Sequence, residues 1–129
     1  MIASGRVLPA WHRRRRTKVS APASSARYKQ YSSLLDDLEG VVMAKYALID
    51  RVERRDGSWA ELPSELNEIL EREATACQRL SKFWLVDGDP CASYLADAWA
   101  GYLRTVDAQQ YVEEIWLEQA EESLGGKRD

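Results

Sequence analysis

The sequence predicts an all-α protein, an antiparallel bundle of three to four helices preceded by an extended basic N-terminal arm. Three observations predict this fold. Apolar residues recur at alternating spacings of three and four along three long segments, which is the helical period. No segment of the 129-residue chain alternates apolar and polar residues as a strand does. Basic and acidic residues are also sorted into different parts of the chain, which separates the arm from the body.

This sorting of charge is strong. Residues 1–35 hold eight Lys or Arg and no acidic residue, whereas residues 36–129 hold ten Lys or Arg and all 21 acidic residues. The two parts therefore carry formal charges of +8 and −11, although the whole chain carries only −3. Residues 1–30 also follow neither the helical nor the strand period. We assign them to an extended or disordered arm, residues 31–126 to one helical domain and residues 127–129 to a tail.

The first helix is predicted to begin near Tyr31, with Ser32 or Ser33 as its cap, and to end at Gly57. The second is predicted to begin around Pro63 or Ser64. Ser58 and Glu61 form a capping-box pattern, but Pro63 would lie too deep in a helix that began at Ser58. Apolar residues expected on the core side of these two helices are Leu35, Leu38, Val42, Ile49, Val52, Leu66, Leu70, Cys77, Leu80, Phe83 and Trp84, with Lys45 or Tyr46 completing the row on the first helix.

Gly88, Asp89 and Pro90 mark the clearest boundary, because Gly favours a left-handed cap and Asp followed by Pro favours a helix start. The third helix then continues to a predicted break near Asp107, whose side chain would cap a further helix, with Gln110 completing a capping box. Gly125 and Gly126 are expected to end this last helix. Its core side is predicted to include Val112, Ile115, Trp116, Leu117, Ala120 and Leu124.

The residues that most enzymes use for nucleophilic or metal catalysis are scarce. His12 is the single histidine and lies in the arm, and the chain has no phosphate-binding glycine motif. Cys77 and Cys91 lack the paired spacing of zinc ligands, so we expect two buried, reduced thiols. We therefore expect a protein without enzymatic activity, metal or cofactor. No apolar run is long enough to span a membrane, which favours a soluble protein. Two cysteines without a secretory signal favour a reducing compartment, the cytoplasm, with an organelle matrix as the alternative.

The basic arm is the strongest functional signal. Its cations would contact phosphates, and Arg favours bidentate phosphate contacts. Trp11 beside the arginine run could stack on a base or on an exposed aromatic ring. Candidate residues for binding nucleic acid or an acidic partner are Arg6, Trp11, Arg13, Arg14, Arg15, Arg16, Lys18, Arg27 and Lys29. The same composition is also typical of an organelle transit peptide.

Two further features are candidates for protein contact. Glu114, Glu118, Glu121 and Glu122, here called the acidic stripe, recur at helical spacings on the last helix. Such a stripe is either a solvated surface or a docking face for a basic partner, including the arm of a neighbouring copy. Trp59 lies between helices, outside the periodic apolar faces, and is the second candidate. Trp84, Trp99 and Trp116 are expected to fill the core.

The resulting hypothesis is a non-catalytic subunit of a larger assembly. The arm would contact nucleic acid or an acidic partner surface, and the acidic helical body would contact other protein subunits, including copies of itself. Two alternatives stay open. One is an organelle-imported accessory subunit of a membrane or ribosomal complex, with residues 1–30 as its targeting peptide. The other is a phage DNA-packaging or connector protein that forms a ring.

Overall fold

The structure, a computed structural model, describes the backbone of residues 25–128 and the side chains of residues 25–125. This part of the chain forms four helices and no strand: α1 Ala26–Glu53, α2 Glu61–Val86, α3 Pro90–Thr105 and α4 Ala108–Arg128. The predicted all-α class is confirmed. Residues 1–24, and with them most of the predicted arm, lie outside the described residues.

Helices α1, α2 and α3 run antiparallel to their chain neighbours. Arg27 at the start of α1 binds Asp87 just after α2, and Arg51 near the end of α1 binds Glu65 near the start of α2. Ser81 of α2 donates to the carbonyl of Ser93 in α3. Apolar side chains from all four helices form one core, whose largest fully buried members include Trp84, Tyr31, Leu35, Leu62 and Leu103. None of the helices described here is both long and apolar enough to cross a membrane.

Helix α1 begins five residues earlier than the sequence pattern predicted. Ser25 Oγ accepts a hydrogen bond from the Tyr28 amide at 3.0 Å, which satisfies one of the unpaired N–H groups of the first turn. The predicted caps Ser32 and Ser33 lie inside the helix. Residues 26–30 are therefore helical rather than extended. Periodic apolar residues begin at Tyr31, but the helix starts one turn before them because the cap at Ser25 sets its first turn.

The connection from α1 to α2 depends on two residues with positive φ. Helix α1 ends at Glu53, Arg55 adopts φ 56° and Gly57 adopts φ 142°. A Cβ at Gly57 would lie 2.9 Å from Leu62 Cδ2. Gly57 thus belongs to the turn, four residues beyond the helix that it was predicted to end.

Helix α2 begins at Glu61, two residues before the predicted start. Ser58 Oγ accepts from the Glu61 amide at 3.0 Å, so the capping pattern that we rejected from sequence is partly formed. Pro63 is the third residue of α2, where the backbone N–H would have no partner inside the helix. The ring of Pro63 is therefore tolerated there.

The boundary between α2 and α3 and the boundary between α3 and α4 both lie where the sequence predicted them. Asp89 Oδ1 accepts from the Ala92 amide at the start of α3, and Pro90 is the first helical residue. Val106 is extended, and Asp107 Oδ1 accepts from the Gln110 amide at 3.1 Å. The break near Asp107 is confirmed. The Gln110 side chain binds Glu114 Oε1, however, and so is not the second half of a capping box.

Helix α4 lies against the end of the bundle where α1 stops. Trp116 Nε1 donates to the Val52 carbonyl at 2.8 Å, and Gln119 Nε2 donates to the Glu53 carbonyl. These bonds satisfy carbonyls of the last turn of α1. Beyond Gln119, residues 121–125 are all exposed, and α4 continues past Gly125 to Arg128. The predictions that Leu117 and Leu124 face the core and that the glycines end α4 are wrong, and Ala120 is exposed as well.

Candidate functional site

The predicted binding residues of the arm fall into two groups. Arg27 and Lys29 lie in the first two turns of α1. The others lie outside the residues that the structure describes: Arg6, Trp11, Arg13, Arg14, Arg15, Arg16 and Lys18. Their role in binding stays a prediction.

Arg27 is bound to its own bundle. Its Nε lies 2.7 Å from Asp87 Oδ1, its Nη2 donates to the Phe83 carbonyl at 3.2 Å, and its guanidinium carbon lies 4.4 Å from the centroid of the Phe83 ring. These contacts join the start of α1 to the end of α2, where the last carbonyls of α2 attract a cation. Arg27 therefore belongs structurally to the body, whereas Lys29 is exposed.

The acidic stripe lies on the exposed side of α4. All four of its glutamates are exposed, and Glu114 accepts a hydrogen bond from the Gln110 side chain at 3.2 Å. Leu117 and Leu124 lie beside the stripe and are 60% and 58% exposed. With 3.6 residues per turn, Leu117, Glu121 and Leu124 share one side of α4. This side of α4 therefore presents leucine side chains flanked by carboxylates, which we call the leucine-glutamate face.

Trp59 packs on a second tryptophan rather than standing apart from the bundle. Its ring centroid lies 5.3 Å from that of Trp116, and 43% of Trp59 is exposed. Arg55 covers Trp116, with its guanidinium carbon 5.3 Å from the ring centroid and Nη2 3.4 Å from the Trp116 carbonyl. Trp116 is half-buried and not fully within the core. The loop after α1 thus holds α4 in place through Arg55 and Trp59, and the exposed part of Trp59 remains available for contact.

A buried ion pair between α1 and α2 was missed from the sequence. Lys45 and Glu73 are 2% and 0% exposed, and Lys45 Nζ lies 2.6 Å from Glu73 Oε1. Trp99 of α3 donates from Nε1 to Glu73 Oε2 at 2.7 Å, which places the half-buried Trp99 at the edge of the core. The signal was present, because Glu73 lies three residues after Leu70 and four before Cys77 on the apolar row of α2. An oppositely charged residue on each of two core-facing rows predicts such a pair.

The two cysteines have different environments. Cys77 is buried one turn after Glu73, whereas Cys91 is exposed. Burial raises the pKa of the Cys77 thiol to about 12; the negative charge of Glu73 adds to this effect and Lys45 opposes it. The prediction of two buried thiols therefore holds for Cys77 and is wrong for Cys91. Cys77 is too weakly acidic to act as a nucleophile at neutral pH.

A second charged cluster joins α2 and α3 at the surface. Arg104 donates from Nη2 to Glu71 Oε1 at 3.0 Å and from Nε to Glu71 Oε2 at 3.2 Å. This hydrogen-bonded pair holds the pKa of Glu71 below its ordinary 4.5 and raises the pKa of Arg104. Both side chains are exposed to solvent, so the pair is a surface contact between neighbouring helices.

No group of three or more potential metal-ligating side chains occurs among the residues that the structure describes. Comparisons with known proteins give no relative from which to argue: no family model, no curated protein and no solved structure matches this chain.

Proposed function

We propose that this protein is a non-catalytic subunit of a larger assembly, in which the basic arm lies on nucleic acid and the helical body contacts other protein subunits. The observation that carries this proposal is the sorting of charge, +8 in residues 1–35 and −11 in the remainder. Cations close together on a chain displace counterions from a nucleic acid, which favours binding without base-specific contacts.

The position of Arg27 restricts the proposal to residues 1–24. Arg27 is bound to Asp87 and Phe83, and Lys29 is part of α1. Six cations remain before Ser25: Arg6, Arg13, Arg14, Arg15, Arg16 and Lys18. The acidic body would repel phosphate, so the arm is the part of the chain suited to approach a polyanion.

Nucleic acid is favoured over an acidic protein groove by the residue types of the arm. Arg forms bidentate contacts with phosphate, and Trp11 stands two residues before the first of four consecutive arginines. An aromatic side chain beside cations can stack on an unpaired base while the cations contact the backbone. The proposed binding is therefore sequence-tolerant and strongly dependent on salt.

The first prediction concerns this salt dependence. Replacing Arg13, Arg14, Arg15 and Arg16 by Gln should reduce the slope of log affinity against log salt concentration for duplex DNA by roughly 3 to 4, because each phosphate contact contributes about 0.9. Fluorescence anisotropy with labelled single-stranded and duplex oligonucleotides measures this slope.

The matched control removes four positive charges from the body. Arg54, Arg72, Arg79 and Lys82 lie on α2 or just after α1, away from the arm, so their replacement by Gln gives the same change in net charge. This control should retain the slope of the parent chain. Equal slopes for the arm variant and the parent would refute the proposal, and binding to polyglutamate but not to DNA would favour an acidic protein partner instead.

The organelle-targeting alternative has one structural observation in its favour. Helix α1 begins at Ala26, directly after the acid-free, Ser/Ala-rich segment that resembles a transit peptide in composition. Mass measurement of the native protein tests this alternative. A mature chain that begins between residues 19 and 26 would support targeting, whereas a chain that retains the arginine run would contradict it.

A further inference from the structure

We infer that the leucine-glutamate face of α4 is a docking site for the N-terminal arm of a second copy of this chain, so that copies associate head to tail. This inference goes beyond the proposed binding of nucleic acid and does not depend on it. It rests on three observations: the exposed leucines of α4, the complementary charge of the arm and the distance between the two ends of α1.

The leucine-glutamate face extends onto the C-terminal part of α4, where the side chains are exposed. Gln119 makes the last described hydrogen bond with α1, and every residue from 120 to 125 is exposed. Leu117 and Leu124 are each more than half exposed although they share a side of the helix with Glu121. Leucine side chains flanked by carboxylates suit a partner that has both apolar and cationic residues.

The arm has this composition. Val7, Leu8 and Trp11 precede the four arginines, and residues 1–24 contain no acidic residue. Arginines would approach the glutamates while the apolar side chains cover the leucines. The four arginines of residues 13–16 match the four glutamates of the stripe in number. Exposed ion pairs contribute little singly, so the apolar contact is needed as well.

The dimensions of the bundle favour a second copy over the same chain. Ser25 lies at the end of the bundle where Arg27 binds Asp87, and the leucine-glutamate face lies beyond the opposite end, past Glu53. Helix α1 has 28 residues and therefore separates these ends by about 42 Å. A fully extended chain from Ser25 brings Arg16 about 30 Å and Arg13 about 40 Å along this path, so the arginine run of the same chain falls short of the face or only reaches its edge, and only residues before Arg13 extend past it. The arm of a neighbouring copy has no such limit.

Each copy has one arm and one leucine-glutamate face, and these lie at opposite ends of its bundle. The contact between copies is therefore heterologous, and it generates rings or open chains of copies. Nucleic acid would compete with this association for the same arginines. Saturation with a single-stranded oligonucleotide is expected to dissociate the assemblies if the arm also binds nucleic acid.

Sedimentation velocity of the full chain, free of nucleic acid and at low salt, tests the inference with two variants. The arm variant has Gln in place of Arg13, Arg14, Arg15 and Arg16, and the stripe variant has Gln in place of Glu114, Glu118, Glu121 and Glu122. Each variant alone should self-associate at least about fourfold more weakly than the parent, because each of the four exposed ion pairs contributes roughly 1.4- to 5-fold.

A mixture of the two variants gives the decisive result. The stripe variant still offers an arm and the arm variant still offers a stripe, so they should form a one-to-one complex that does not grow further. A parent chain that stays monomeric, or a mixture without this complex, would overturn the inference. Circular dichroism confirms that both variants keep their helices.

Two controls separate this contact from general electrostatics. Replacing the exposed Asp36, Asp37, Asp56 and Glu68 by Asn, Asn, Asn and Gln removes the same charge elsewhere and should leave association unchanged. Replacing Leu117 and Leu124 by Ser should weaken association at unchanged charge. The stripe variant should still bind DNA, so failure of this inference and failure of the proposed function give different results.

Discussion

Lys45 and Glu73 place opposite charges inside the core, where an isolated charge is strongly unfavourable. Their separation of 2.6 Å, together with the hydrogen bond from Trp99 to Glu73, stabilises both charges in the interior. Such a pair contributes little net stability compared with apolar residues, but it fixes how α1, α2 and α3 align along their lengths. We regard it as a determinant of helix register.

A prediction about stability follows from this pair. Replacing Glu73 by Ala should destabilise the protein by about 3–5 kcal/mol, because Lys45 would remain buried without its partner. The double replacement of Lys45 by Met and Glu73 by Leu should destabilise the protein much less than the single replacement, because it leaves no buried charge and removes only the acceptor of the Trp99 N–H. Urea unfolding followed by circular dichroism measures both changes. A similar decrease in the free energy of unfolding in the single and the double variant would contradict this account.

The two cysteines allow a second prediction at the residue scale. In the native protein a thiol-specific disulfide reagent should modify Cys91 rapidly, because Cys91 is exposed, and should leave Cys77 unmodified. Burial both blocks access to Cys77 and raises its pKa to about 12, which keeps the thiolate form scarce. Unfolding in urea should expose Cys77 and allow the reagent to modify it as well. Replacing Cys91 by Ser should abolish the fast reaction, and fast modification of the Cys91→Ser variant would contradict the structure.

At the scale of helices and turns, capping explains which boundaries could be predicted. Asp89 with Pro90 and Asp107 each combine a capping side chain with an interrupted apolar pattern, and both boundaries were predicted. Ser25 caps a helix whose first turn contains no recurring apolar residue, so the apolar pattern placed this start too late. The start of α2 was placed too late because Pro63 was expected to exclude a start near Ser58, although Leu62 already belongs to the buried row of α2. Which residues of α4 contact the other helices could not be predicted. Its sequence is amphipathic throughout, but only its first half packs against the bundle.

The turn between α1 and α2 gives a prediction at this scale. Replacing Gly57 by Ala should destabilise the protein by about 1–3 kcal/mol, because φ is 142° and the new Cβ would meet Leu62 at 2.9 Å. The matched control is Gly101, which lies inside α3 with open space where the methyl group of an alanine would stand. Its replacement by Ala should stabilise the protein by about 0.5–1 kcal/mol. Thermal unfolding of both variants measures the difference, and opposite shifts in melting temperature are expected.

Across the whole molecule, charge and periodicity predicted the helical body well but not the part that individual cations play. Arg27 belongs by composition to the basic arm, yet it binds Phe83 and Asp87. One-dimensional charge patterns do not distinguish a cation that reaches an outside partner from one that joins two helices. The leucine-glutamate face was only half predicted: its acidic residues were recognised, but its leucines were assigned to the core. Their exposure depends on where α4 leaves the bundle, which is a property of tertiary packing.

The cap at Ser25 also determines where a protease can cleave the chain without unfolding the helical bundle. Its side chain and the Arg27 contacts hold the first turn of α1, so cleavage before Ser25 should leave the bundle intact. Cleavage a few residues later would remove both and expose the stacked rings of Tyr31 and Phe83. A protease that trims the purified protein from its N-terminus should therefore stop at a stable fragment that begins close to Ser25.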